Sequence, residues 1–192
     1  MSGTKLTAKS LIKRGVPYVL IPGLVLAAIL GWKGLGDMKD YYSYKKIFPS
    51  SGIVETVDDG DTFTLKGGVK IRLIGINAPE RGQENYTLAR TVLQSMVEKK
   101  EIFLEYDRYQ DDKFGRVLAW VWIDCETRPQ FLPADYMHKS GNESSPGLTE
   151  NPKGCKKGKL VNEELVRSGL ASPAVYSDRG PTKYEVRLNP PR

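Results

Sequence analysis

Three stretches of the chain gather side chains whose types and spacing could do chemistry. Asp58, Asp59 and Asp61 crowd one turn; Arg72, Asn77 and Glu80 lie on and just beyond an apolar-polar alternation; Lys113, Phe114 and Arg116 stand where another begins. The single histidine of the 192 residues, His138, sits in a polar loop and receives no role. No Ser/His/Asp triad and no Cys/His zinc set can therefore be drawn. What remains is carboxylate, guanidinium and hard oxygen donors. Those groups suit phosphoryl transfer to water: a carboxylate takes a proton, a hard cation offsets phosphate charge, and planar arginine donors hold the charged transition state. Each residue alone has an ordinary explanation, such as a turn carboxylate or a solvated arginine on a strand. Their joint order along one chain is the signal.

The elements that must position these groups follow from periodicity. Ile53 to Val57 alternates, the acidic turn intervenes, Thr62 to Leu65 alternates again, and Lys66-Gly67-Gly68 turns the chain into a β run from Val69 to Ile74. Leu88, Val92, Leu93, Met96 and Val97 recur at helical spacing, which predicts a helix to about Lys99 with Asn85 or Thr87 as cap. Strands are expected at Glu101–Tyr106 and Arg116–Ile123, and a second helix from Leu160 ended by Gly169. Three strands, a helix, two strands and a helix is the order of a small closed barrel. The expected class is α+β: a five-stranded OB-fold barrel with two to three helices, preceded by a single N-terminal transmembrane helix.

That last element rests on residues 15–32, where 18 residues carry no charge. At 1.5 Å per residue they span roughly 27 Å, close to the hydrocarbon thickness of a bilayer. Lys5, Lys9, Lys13 and Arg14 precede the run, and Leu30-Gly31-Trp32 offers no convincing cleavage site, so a retained signal anchor is expected. The expected organisation is a basic tail at 1–14, an anchor at 15–32, a linker at 33–50, a folded domain at 51–178 with a loop insertion at about 125–157, and a fraying tail at 179–192. Residues 1–48 hold 8 basic and 2 acidic residues and so carry the whole net charge of +6. The folded part is neutral in sum, and its pI says nothing about what it binds. The lysines from Lys153 to Lys159 read as a solvated loop, or as a patch that follows phosphates. Cys125 and Cys155 flank a Pro-, Gly- and Ser-rich loop; they are either a disulfide or two unrelated thiols.

Three ordered blocks carry a resemblance. Val57-Asp58-Asp59-Gly60-Asp61-Thr62, then Ile71-Arg72-Leu73-Ile74-Gly75-Ile76-Asn77-Ala78-Pro79-Glu80, then Asp112-Lys113-Phe114-Gly115-Arg116-Val117-Leu118-Ala119 resemble the thermonuclease (staphylococcal nuclease-like) family, and residues 160–171 resemble its later helix. The resemblance covers about residues 52–176. It implies an OB-fold and a calcium-dependent phosphodiesterase acting on DNA and RNA. Position by position it implies Asp61, Asn77 and the Ala78 carbonyl as calcium ligands, Glu80 as general base, and Arg72 and Arg116 on the scissile phosphate. Lys113 and Phe114 would contact substrate; Tyr176 falls one position out of register with the family's nucleotide-contacting tyrosines. Asn77 stands where the family has a second aspartate, which implies a weakened calcium site. The expected partners are nucleic acid and, through the N-terminal run, a membrane, with the folded domain outside the cytoplasm; no protein partner is identifiable. The competing expectations are a catalytically silent nucleic-acid- or protein-binding OB module and a tethered scaffold.

Overall fold

A computed structural model describes residues 48–108, 110–132, 145–174 and 180–189. The chain divides into Met1–Lys46 and Ile47–Arg192, and every described residue belongs to the second unit. The apolar run at 15–32, His138 and Tyr176 lie outside the described residues. Among those described, no helix is long and apolar enough to cross a membrane.

The first three strands form a meander: β1 (Ser51–Val57), β2 (Thr62–Leu65) and β3 (Lys70–Leu73). Antiparallel pairing sets Thr56 opposite Thr64 and Thr62 opposite Arg72. The turn between β2 and β3 needs its two glycines, because Gly67 and Gly68 sit at φ 102° and 84°, where a side chain is strained. A two-residue strand, β4 (Ile76–Asn77), precedes α1 (Tyr86–Val97). This helix buries Ala89, Leu93 and Val97, four residues apart, on one face. Asn85 occupies its N-cap position in a left-handed conformation without a side-chain capping bond.

Strands β5 (Glu101–Glu105) and β6 (Val117–Ile123) complete the barrel. The sheet runs β3-β2-β1-β5-β6, and a parallel pairing of β3 with β6 closes it. All seven residues of β6 are buried, as a near-continuous apolar strand covered on both faces requires. The end of β6 pairs with β7 (Lys159–Leu160), which extends the sheet, and α2 (Val161–Arg167) packs against β6. Asn162 on that helix is buried, and its amide accepts from the Val121 N–H (3.0 Å) and donates to the Ile74 carbonyl (2.8 Å). Finally β8 (Ser172–Pro173) pairs with β4, and a short helix, α3 (Glu185–Leu188), ends the described chain. The five strands expected from alternation are the five that close.

Two regions differ from or complete the expectation. Cys125 and Cys155 are bonded to each other. A bridge closing a loop of this length contributes roughly 3–4 kcal/mol in the chain-entropy picture. Residues 180–189, part of the tail expected to fray, are built into the core: Thr182, Lys183, Tyr184 and Leu188 are buried. The reason is a polar network that the sequence does not announce. Lys183 Nζ donates to Glu105 Oε1 (3.0 Å) and to the Leu132 carbonyl (2.9 Å), while Trp122 Nε1 and the Tyr184 hydroxyl donate to Glu105 Oε2 at 3.0 and 2.9 Å. A lysine with no exposed surface is tolerated only when its charge is paired and hydrogen-bonded in this way.

Candidate active site

The site is built at the rim where the β1–β2 turn meets the chain leaving β3. Asp59 Oδ1 accepts the Asp61 N–H (3.0 Å), and the Asp58 and Asp59 N–H groups both reach the Thr62 carbonyl. Gly60 lets this turn lie flat on its neighbours, since a Cβ there would come within 2.6 Å of the Ala78 Cβ and 2.9 Å of the Ala89 Cβ. The close approach brings Asp61 Oδ2 to the Ala78 N–H at 2.8 Å. Its other oxygen, Oδ1, accepts from the Thr62 hydroxyl at 3.0 Å. Asp58 turns away, pairing with Lys70 at 2.9 Å, so of the two neighbouring carboxylates only Asp59 stays beside Asp61.

Arg72 links the two sides. Directly opposite Thr62 on β3, it sends Nη1 against Asp61 Oδ2 as an ion pair outside hydrogen-bond alignment, and Nη2 to Asn77 Oδ1 at 2.9 Å. Asn77 is fixed by the β4–β8 pairing, and its own carbonyl accepts the Ser172 hydroxyl at 3.3 Å. One planar guanidinium thus brings Asp61 Oδ2 and Asn77 Oδ1 together, beside the backbone of Ala78.

Burial is the largest influence on Asp61 and pushes its carboxyl up to about 6; Arg72 and the Ala78 N–H pull the other way, and Asp59 adds to the rise. Asp61 binds its proton more tightly folded than unfolded, where its value is 3.8. The stability this group contributes is therefore full below about 4 and is lost as pH rises through about 6. In calcium-free buffer, Asp61→Asn should gain stability relative to wild type across that window, by on the order of 2 kcal/mol, and level off above it. Urea denaturation at pH 4.5 and 7.5 (assay conditions) checks this; a difference that does not change with pH would contradict it.

Arg116 is held by a second carboxylate. Asp112 Oδ1 accepts the N–H groups of Phe114 (2.9 Å) and Arg116 (3.0 Å), and Asp112 Oδ2 takes Arg116 Nε (2.8 Å) and Nη2 (2.7 Å). Partial burial tends to raise the Asp112 carboxyl, but the hydrogen bonds from Arg116 and Phe114 outweigh it and hold it below its ordinary value. The remaining nitrogen, Arg116 Nη1, lies 3.5 Å from Thr62 Oγ1. Thr62 therefore joins the two halves: its hydroxyl donates to Asp61 and faces Arg116 with its lone pairs. The outcome is one polar chain running Asn77–Arg72–Asp61–Thr62–Arg116–Asp112.

Lys113 and Phe114 stand beside it. The Phe114 ring is 70% exposed, with Lys113 Nζ 5.1 Å and Arg116 Cζ 5.3 Å from its centroid. Both cations thus lie over an aromatic ring that is otherwise largely exposed. Glu80 is placed by a different device. Its N–H donates to Gln83 Oε1 (2.7 Å) and its carbonyl accepts the Gln83 N–H (2.9 Å), a turn that Gly82 permits at φ 92°. Glu80 is exposed and lines a cleft of about 580 Å³ with Asn77, Ala78, Gln83, Leu170 and Ser172. Among the described residues Glu80 forms no ion pair with that polar chain. Arg72, Asp61, Asn77 and Ala78 are thus drawn together directly, Arg116 joins them through Thr62, and Glu80 adjoins Asn77 and Ala78 in a cleft whose lining includes neither arginine nor Asp61.

The donors suit a hard cation. The Asp61 carboxylate, the Asn77 amide oxygen and the Ala78 carbonyl are all oxygen ligands of the type calcium takes. Among the described residues no group of three or more His, Cys, Asp or Glu side chains is gathered. A cation here would have one carboxylate and would complete its shell with neutral oxygens.

The family described as "Staphylococcal nuclease homologue" matches residues 70–189. The chain belongs to the staphylococcal nuclease homologue family. That span holds Arg72, Asn77, Glu80, Lys113, Phe114 and Arg116, while Asp61 precedes it. The chain is 32% identical to the thermonuclease of Staphylococcus intermedius over 124 residues, 60% of this chain and 74% of that one. It is 33% identical to the thermonuclease of Staphylococcus hyicus over 141 residues, 69% of this chain and 63% of the relative. An uncharacterized endonuclease of Escherichia coli is 35% identical over 74 residues, spanning 37% of this chain and 47% of that protein.

Proposed function

We propose that this staphylococcal nuclease homologue is a calcium-dependent phosphodiesterase that hydrolyses DNA and RNA. The observation that carries the proposal is the convergence of Asp61 and Asn77 on one guanidinium, with the Ala78 N–H on the same Asp61 oxygen, joined through Thr62 to a second guanidinium. Asp61, Asn77 and the Ala78 carbonyl would hold the ion, which supplies positive charge to the phosphate oxygens. Glu80, exposed at the edge of the cleft, takes a proton from the attacking water as its oxygen bonds to phosphorus. The bond to the leaving oxygen breaks with its electron pair, and that oxygen is protonated from solvent. Negative charge grows on the equatorial oxygens during attack, and Arg72 and Arg116 would meet it. Lys113 and Phe114 would hold a neighbouring phosphate and base.

The deciding experiment follows cleavage of a fluorescent oligonucleotide in calcium and in chelator, with binding of the same oligonucleotide measured alongside. Chelator-sensitive cleavage is expected; binding without cleavage would indicate the silent module instead. Asn77→Asp should restore a ligand charge and tighten calcium binding by about an order of magnitude. Calorimetric titration checks this, and an unchanged isotherm would remove position 77 from the ligand set.

A membrane anchor at residues 15–32 with the nuclease domain outside the cytoplasm is part of the same proposal. The uncharged run behind a basic cluster supports it, as does the bonded cysteine pair, which suits an oxidising compartment. The full chain should sediment with membranes, and a chain starting at Phe48 should not; equal partitioning of the two would contradict the anchor.

A further inference from the structure

We propose that Asp112 is a positioning residue that fixes the face Arg116 offers to the substrate. The inference rests on Arg116 being a phosphate ligand, as proposed above. A guanidinium has two edges able to grip an oxyanion in a fork: the side edge of Nε with one terminal nitrogen, and the end edge of the two terminal nitrogens. Asp112 Oδ2 occupies the side edge, at 2.8 Å from Nε and 2.7 Å from Nη2. The end edge is left, and Nη1 on it lies 3.5 Å from Thr62, the residue bonded to Asp61. The substrate phosphate is thereby met end-on, from the direction of the proposed metal ligands.

The same carboxylate fixes where the arginine begins. Asp112 Oδ1 takes the backbone N–H groups of Phe114 and Arg116, and the Asp112 carbonyl accepts the Gly115 N–H at 3.0 Å. Backbone and side chain of Arg116 are therefore set by one residue before substrate arrives. A flexible arginine would have to be ordered in the transition state, and preorganisation removes that cost. The ion pair also weakens the attraction of Arg116 for a bound ground-state phosphate, so the contribution should appear in turnover more than in affinity.

The two functions of Asp112 can be separated by substitution. Asp112→Asn keeps an oxygen for the two backbone N–H groups and removes the charge that holds the guanidinium. Asp112→Ala removes both. For the full chain in calcium, Asp112→Asn should lower kcat by roughly 10–100-fold, the range seen when an orienting partner of a functional side chain is lost. Its KM should stay within about threefold of wild type and its melting temperature close to it. In an Arg116→Ala background, Asp112→Asn should cost nothing further, because its effect passes through the arginine. Unchanged or increased kcat in Asp112→Asn, or an equal loss with and without Arg116, would overturn the inference. Full activity of Arg116→Ala alone would instead overturn the reading of Arg116 on which it rests. If Asp112→Ala unfolds, the Asn variant and its double mutant still decide.

Discussion

Glu80→Gln should lower kcat by about 10²–10⁴ while leaving calcium binding, oligonucleotide affinity and melting temperature near wild type. The magnitude is that of losing a positioned general base. The selectivity follows from the geometry: the two bonds that fix Glu80 come from its backbone to Gln83, and both survive the substitution. The side chain is exposed and belongs to none of the ion pairs among the described residues, so a neutral isostere removes the proposed proton acceptor and nothing that holds the fold. Single-turnover kinetics with saturating oligonucleotide separate the chemical step from binding. A variant that keeps full turnover would remove Glu80 from the mechanism.

The second large effect is expected at the arginines, where lysine should fail to substitute. Arg72→Lys and Arg116→Lys each keep a positive charge, and each should still lose about 3–4 kcal/mol of transition-state stabilisation, roughly a factor of 10²–10³ in kcat. Arg72 touches Asp61 and Asn77 with two different nitrogens of one plane. Arg116 holds Asp112 along one edge while its remaining nitrogen faces Thr62. An ammonium group is a point charge on a flexible stem and cannot hold two such partners in a fixed plane. Cleavage rates at matched calcium, with the melting temperature as a control for folding, check the pair. Lysine variants within a few-fold of wild type would show that charge alone suffices.

The legible part of the molecule was the part governed by local pattern. The barrel strands announce themselves by alternation and by turns that demand glycine, as at Gly67 and Gly68. Helix α1 announces itself by the spacing of Leu93 and Val97, although it stops at Val97, two residues short of the expected end, where Glu98 takes an extended backbone and Lys99 a positive φ. The two-residue strands β4 and β8 were not legible, since each exists only through pairing across 95 residues of sequence, as between Asn77 and Ser172. The C-terminal segment was misread for a related reason. Lys183 looks like a surface residue until Glu105 and the Leu132 carbonyl are seen around it.

The candidate site divides the same way. Asp61, Arg72, Asn77, Glu80 and Arg116 were legible because their types and order are those of one chemistry. Thr62, Asp112 and Gln83 were not, because a threonine on a strand, an aspartate before a glycine turn and a glutamine in a loop each have an ordinary local role. Their part depends on side-chain direction: Thr62 faces both Asp61 and Arg116, Asp112 folds back onto Arg116, and Gln83 closes on the backbone of Glu80. A spacing cue existed only for Asp112, four residues before Arg116 at the mouth of a tight turn.

The central claim is that one metal and one phosphate share the pocket formed by Asp61, Asn77, Ala78, Arg72 and Arg116. Linkage tests it most directly. In the Glu80→Gln protein, which should bind a short oligonucleotide without consuming it, calcium affinity is measured by calorimetry with and without the oligonucleotide. The expected result is calcium binding at least about fivefold tighter with the oligonucleotide present, and oligonucleotide binding tighter by the same factor with calcium present, since coupling between sites is reciprocal. Asp61→Asn should abolish both changes. Calcium affinity indifferent to the oligonucleotide would contradict a shared pocket.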